Sequence, residues 1–272
     1  MSLSFASGST NRVNHGSGAS IDDLPAGANG CSFLAWLYRT ADDSNQHILT
    51  MDGPIAGTRL GIIVLASSGT AGNLRVVVAT TGTAADYIGT GDLTPLNTWT
   101  FIASTFNINA SPQAHIYTGS RTALATEVGY DSTTDGTGTV VSDASVDKWI
   151  GNLDRAVGNL PFVGRIARVG YINTALTLAE IQRLQFAPAA AWAGPNTKLL
   201  VEYHGTGTQV DYTGNGNAGT VTGASIADHV PLGPAWGRRL IHAVEFADVA
   251  TGYGMLIAGG AVIPRIFSRI RQ

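Results

Sequence analysis

The stretch from Phe162 to Leu184 constrains this chain more than any other. Gly164 to Ile172 reads as a strand, with β-branched and aromatic residues and a charged residue on each face. A helix start follows. Thr177 is placed to cap it and accept from the backbone of Glu180, whose carboxylate reaches back to the Thr177 amide, a capping box. Leu176 and Ile181 are spaced as the accompanying hydrophobic staple, Leu178, Ile181 and Leu184 form a short apolar stripe, and Pro188 ends the helix. One capped helix in a chain otherwise patterned for strands is expected to close the end of a sandwich.

Length and composition fit that expectation. A chain of 272 residues buries a sizeable core without disulfides or metal, and all-β sandwiches of about 200–250 residues form single domains. Glycine is abundant at 34 residues and charged residues make up only 13%, which suits short strands joined by tight turns. Cys31 is the only cysteine, so no intramolecular disulfide forms, and its apolar surroundings predict a buried, inert thiol. A formal charge of −3 with both signs scattered gives nucleic acid no electrostatic footprint. No secretory signal is expected, because residues 1–10 lack a basic start and a long apolar run. Gly252 to Ile263 is apolar but glycine-rich and far short of the ~20 residues of a spanning helix, so it reads as contact surface.

In chain order, Leu3–Phe5 and Asn11–Val13 suggest an opening hairpin. Cys31–Tyr38 is apolar on both faces and should be covered on both sides. Segments 46–51, 59–65, 73–79, 87–88, 96–106 and 114–118 follow as strands between turn signals, whereas 120–146 reads as an extended polar loop. Trp149–Gly151 leads into the strand and helix above.

Five segments then stand in order: Ser32-Phe-Leu-Ala-Trp-Leu37, Asn97-Thr-Trp-Thr-Phe-Ile-Ala, His115-Ile-Tyr-Thr-Gly, Trp149-Ile-Gly-Asn and Phe162-Val-Gly-Arg-Ile-Ala-Arg-Val-Gly-Tyr. Together with Leu176–Ile181 they resemble a laminin-G-like jelly-roll domain, of the concanavalin A-like lectin and glucanase superfamily, over roughly residues 3–186. The resemblance implies an all-β, two-sheet antiparallel jelly-roll sandwich of about six or seven strands per sheet, with one short helix near residues 178–186 and an extended C-terminal tail. One departure stands out: where the family carries acidic residues after the Gly-x-Ile of the late strand, this chain has Ala167 and Arg168. The resulting division is a jelly roll at 1–187, a linker and hairpin at 188–229, and a docking tail at 230–272. The hairpin around Gln209–Gly223 either packs back on the same sandwich, the arrangement adopted here, or begins a small subdomain.

Gly214-x-Gly216-x-x-Gly219 matches a dinucleotide fingerprint in letters, but a strand-forming Thr-Val-Thr follows where the mechanism needs a helix. Glycosidases need two close carboxylates. Glu127, Glu180, Glu202 and Glu245 are the only glutamates, and none stands in the Glu-x-Asp-x-x-Glu spacing of the related glucanases. The chain is therefore expected not to be an enzyme and to need no cofactor. Calcium is the one ion to weigh, with Asp22-Asp23, Asp42–Asn45 and Asp131–Asp135 as rim loops; turn capping by aspartate is the simpler reading. Trp36, Trp99 and Trp149 are expected in the core, Trp192 and Trp236 on a contact surface.

Jelly rolls of this plain type resemble those on tailed-bacteriophage virions. The expectation is a non-enzymatic structural protein of a virus particle, a head-decoration, fibre or similar surface component that contacts other virion proteins or copies of itself. Trp236, Tyr253, Met255, Ile263, Arg265, Phe267, Arg269 and Arg271 of the apolar, basic-ended tail are the candidate contact residues. The alternative is a carbohydrate-binding, lectin-like module, calcium-assisted or not, at an extracellular or cell surface. Neither reading calls for a membrane or nucleic acid.

Overall fold

The computed structural model describes residues 1–6, 10–42, 45–52, 58–65, 72–152, 160–203, 205–230, 254–258 and 261–265, with backbone pairing alone for 52, 58–65 and the last two segments. In chain order the elements are β1 (Ser2–Phe5), β2 (Arg12–Asn14), β3 (Cys31–Arg39), β4 (Gln46–Asp52), β5 (Thr58–Leu65), β6 (Asn73–Val78), β7 (Ala85–Gly89), β8 (Trp99–Phe106), β9 (Ala114–Ser120), β10 (Thr126–Glu127), β11 (Tyr130–Thr134), β12 (Lys148–Ile150), β13 (Gly164–Ile172), α1 (Leu178–Gln185), β14 (Thr197–Glu202), β15 (Thr220–Thr222) and β16 (Ser225–Ala227). Two compact units divide the chain, Met1–Val230 and Pro231–Gln272. The second holds an antiparallel ribbon of β17 (Gly254–Ala258) and β18 (Ala261–Arg265), with Leu256 opposite Ile263.

The first unit is the expected two-sheet antiparallel sandwich. Its first sheet runs β10-β9-β8-β3-β13-β1-β16, with β14 also on β13; its second runs β11-β7-β6-β5-β4-β12-β2-β15. Period-2 alternation decides which side chains meet between the sheets. Phe33, Ala35 and Leu37 of β3, Ile166, Val169 and Tyr171 of β13, Leu74, Val76 and Val78 of β6, and Ile150 of β12 all enter one buried cluster.

Two expectations fail on pairing. Leu3–Phe5 and Asn11–Val13 are not a hairpin: β1 pairs with β13 and β16 in the first sheet, β2 with β12 and β15 in the second. Short alternating segments declare a strand but not its partner, and these partners lie more than a hundred residues away in sequence. The polar region 120–146 is not a plain loop either. It contributes β10 and β11, the latter an edge strand whose Ser and Thr side chains face solvent.

The helix forms where its caps predict. Thr177 Oγ1 accepts from the Glu180 amide at 3.4 Å, and the Glu180 carboxylate accepts from the Thr177 amide at 2.8 Å. Those hydrogen bonds hold the Glu180 carboxyl below its ordinary range. The buried stripe differs by one position: Ile181, Leu184 and Gln185 face inward, whereas Leu178 is exposed.

Candidate carbohydrate-binding surface

The middle of one outer face of the sandwich is covered. On β3, Leu34 and Trp36 point away from the inter-sheet core yet are fully buried. The end of α1 and the residue behind it cover Trp36: its Nε1 donates to the Gln185 carbonyl at 3.2 Å and the Phe186 ring lies 6.3 Å away, with Phe101 of β8 alongside at 5.4 Å. Trp192, expected on a contact surface, is a core residue with 1% exposure. It stacks edge-on to Phe101 at 6.3 Å and donates Nε1 to the Leu184 carbonyl at 2.7 Å. A Cβ on Gly170 would come within 2.8 Å of its ring, so only glycine fits there. Arg168, the departure noted from the family pattern, lies over the Trp192 ring at 5.1 Å and donates Nε to Glu202 at 2.8 Å. The strand after the helix thus supplies the carboxylate that this buried guanidinium requires.

The other outer face has no α-helix of the described residues against it. Register across the second sheet places Thr220, Asn14, Trp149, Thr50, Gly61, Val77, Asp86 and Thr134 in one row. At one end Arg12 caps the Trp149 indole at 4.5 Å, and Asn14 donates to Asp147 at 2.8 Å. Trp149 is only 8% exposed and Thr50 is fully buried, with its hydroxyl donating to the Asn152 carbonyl at 2.6 Å, so this end is packed rather than open. The other end is accessible. Arg75 and Asp86 form a bidentate pair at 2.8 and 2.7 Å, with side chains 32% and 30% exposed. That carboxylate strengthens the hold of Arg75 on its proton. Half-buried Val77 and Ile88 flank the pair, and the hydroxyls of Ser132 and Thr134 border it on the edge strand. Guanidinium donors and carboxylate acceptors thus stand side by side between apolar walls. Sequence reasoning did not single out this pair, although Arg75 is the one charge in the run Leu74–Val78.

In all three proposed rim loops the carboxylates of the described residues accept from internal donors. Lys148 pairs with Asp22, while Asp23 and Asp143 each accept the other's amide, at 2.9 and 2.6 Å. Arg39 donates to Asp42, to Asp92 at 3.2 Å and to the Thr94 carbonyl at 2.7 Å; Asp43 lies outside the described residues. Asp131 accepts from Asn73 at 3.1 Å and Thr90 at 2.8 Å, and Asp135 accepts from Tyr87, Ser111 and the Gln113 amide.

The glycine-rich fingerprint is a structural turn. Asp211 accepts from the amides of Leu200, Thr213 and Asn217 at 3.0–3.2 Å, Gly214 and Gly216 take φ of 78° and 83°, and β15 rather than a helix follows. Cys31 is buried and its thiol is pushed up to about 12 by that burial. Of the proposed tail contacts, Trp236, Tyr253, Phe267, Arg269 and Arg271 lie outside the described residues; Met255 sits on β17, and Ile263 and Arg265 on β18.

Comparison with known proteins agrees with this architecture. The Laminin_G_3 family, described as concanavalin A-like lectin/glucanases superfamily, matches residues 12–182. No curated protein matches the chain in sequence. Among solved structures, a candidate carbohydrate-binding protein from Bacteroides ovatus superposes with a TM-score of 0.57 at 16% identity, covering 84% of this chain and 59% of its own length. This chain therefore spans about three-fifths of that relative. The CBM40 of the Ruminococcus gnavus IT-sialidase, bound to α2,3 sialyllactose, aligns at TM-score 0.46 and 12% identity over 68% of this chain and 95% of that one. Domains LG4-5 of the mouse laminin α1 chain align at 0.44 and 9% over 66% and 43%.

Proposed function

The chain belongs to the Laminin_G_3 family of the concanavalin A-like lectin/glucanases superfamily, and from that premise we propose that it is a non-enzymatic carbohydrate-binding module. Glycan is taken on the outer face of the second sheet, at the Arg75–Asp86 pair. The observation that carries this reading is the pair itself: a bidentate, hydrogen-bonding ion pair with both side chains about one-third exposed, set between half-buried Val77 and Ile88. The proposed ordering reverses the expectation drawn from sequence, which set a virion role first. Glycan-array binding of the whole chain tests it, with Arg75→Ala and Asp86→Ala beside the native protein. Loss of signal in both variants with unchanged melting temperature supports the reading; uniform silence of the native protein, or binding indifferent to both changes, removes it. Incubation of any bound oligosaccharide, followed by chromatography, should return it uncleaved.

A second reading has its own observation. The β17–β18 ribbon is apolar and two-stranded, and a ribbon of that size is marginal in water without something to pack on. It supports attachment to a larger assembly, such as a virion surface, through the C-terminal unit. Sedimentation of the full chain against a chain ending at Val230 tests it: an assembly that survives the truncation counts against that role.

A further inference from the structure

We propose that one end of the first sheet's outer face is a second binding surface, where Arg165 takes the carboxylate of an acidic saccharide. Register places Trp99 of β8, Tyr38 of β3, Arg165 of β13, Ser4 of β1 and Ser225 of β16 side by side in one row. Alternation turns that row away from the core, because the neighbours Leu3, Phe5, Leu37 and Ile166 belong to the inter-sheet cluster. Phe186, just past α1, meets Trp36, one row further along β3. In the row itself Tyr38, Arg165 and Ser4 are half-buried and Ser225 is exposed.

The arginine is the distinguishing member. Arg39, Arg75 and Arg168 each hold a carboxylate at hydrogen-bonding distance. Among the described residues Arg165 donates no side-chain hydrogen bond; its ion-pair partner Asp228 stands 4.0 Å away, on a side chain 98% exposed. Instead the Arg165 guanidinium lies over the Tyr38 ring, 5.0 Å from its centroid, and the Trp99 ring packs against Tyr38 at 5.4 Å. Stacking restricts the plane of the guanidinium and leaves its N–H edge unpaired. That fork of donors fits a carboxylate bidentately. The hydroxyls of Ser4 and Ser225 have no partner among the described residues either, and they continue the row with groups that sugar hydroxyls can meet. At the usual ~4.8 Å between strands the row spans about 19 Å, room for an oligosaccharide. That the anion is carried on a sugar rests on the carbohydrate binding proposed above; the anion site rests on Arg165, on the opposite sheet from Arg75 and Asp86.

The test follows the arginine Nε–H signals of the full chain, with Arg165 assigned through Arg165→Lys, during titration with hyaluronan tetrasaccharide, in which glucuronate alternates with a neutral sugar. The Arg165 signal should shift and saturate, added salt should weaken the binding, and uncharged chitotetraose should leave the signal in place. Arg165→Ala should bind about tenfold more weakly or worse, and Arg165→Lys, which keeps the charge but not the fork, should recover only part of the loss. Asp228→Asn removes the competing carboxylate and should tighten binding about twofold. Should Arg165→Ala fail to fold, the native titration and Asp228→Asn still decide. A silent Arg165 signal, undiminished binding in Arg165→Ala, or a shift with sodium sulfate but not with the tetrasaccharide overturns the proposal. So does a shift driven by protein concentration alone, the mark of a second copy on this row. Loss of neutral-glycan binding in Arg75→Ala bears on the second sheet instead, so the two readings fail separately.

Discussion

Buried titratable side chains set what this protein does in response to reagents and pH. Cys31 lies between the sheets, and its thiol is pushed up to about 12 by desolvation, so almost none is thiolate at neutral pH. Native protein should leave an aromatic disulfide reagent unreduced, with one equivalent of thiol appearing on denaturation; reaction at the rate of an exposed thiol would contradict the burial. His15 is buried, with Nδ1 donating to the Asn217 carbonyl at 2.9 Å, and burial lowers its pKa below the ordinary 6.5; half-buried His229 shifts the same way. The unfolded chain then binds more protons than the folded one below pH 6.5, so the stability that these histidines contribute is complete above that value and is lost as pH falls through it. Melting temperature should drop between pH 7.5 and 5, and His15→Asn, which keeps a donor for Asn217, should flatten that slope. An unchanged slope in the variant would assign the effect elsewhere.

At the scale of elements, what could be read from sequence was whatever is local. Thr177 and Glu180 stand three residues apart and declare the capping box in their spacing alone; Thr177→Ala should cost about 1 kcal/mol in chemical denaturation. Cys31–Tyr38 announced a strand buried on both faces because both of its faces are apolar, but nothing in it names the residue that covers the outer one. The Gln185 carbonyl and Phe186 meet Trp36 there from about 150 residues away, and Trp192 covers Phe101 and Gly170 on the neighbouring strands. Lys148 and Arg75 were missed for a related reason: a charged residue in a strand looks solvated until its partners, Asp22 and Asp86, are known. Gln185 is the same case in a helix. It is fully buried, accepts from the Ala125 amide at 2.7 Å and donates to the carbonyls of Ser120 and Ala123 at 2.8 and 2.9 Å, tying α1 to the turn after β9. Gln185→Leu keeps the apolar contact but strands three backbone groups, and should cost about 3 kcal/mol or more by urea denaturation. A cost below ~1 kcal/mol would mean that water replaces the amide.

For the molecule as a whole, the question is where the jelly roll ends. The family match stops at residue 182, and the sequence alone divided the chain near 187. Backbone pairing runs further. β14 lies along β13 from Arg168 to Ile172, β15 continues the second sheet beyond β2, and β16 continues the first beyond β1. A chain ending at residue 187 would expose those strand edges, leave Arg168 buried without Glu202, and uncover Phe101 and Gly170 where Trp192 now sits. Loss of Trp192 alone, as in Trp192→Ala, removes about 3–5 kcal/mol from a core of this kind. With domain stabilities of about 5–15 kcal/mol, the combined losses consume most or all of what holds the sandwich together. A chain ending at Val230, by contrast, keeps every strand of the two sheets. The expected outcome is that residues 1–230 melt in one cooperative transition near that of the full chain, while residues 1–187 aggregate or unfold without cooperativity. Equal stability of the two truncations would show that β14–β16 decorate the sandwich rather than complete it.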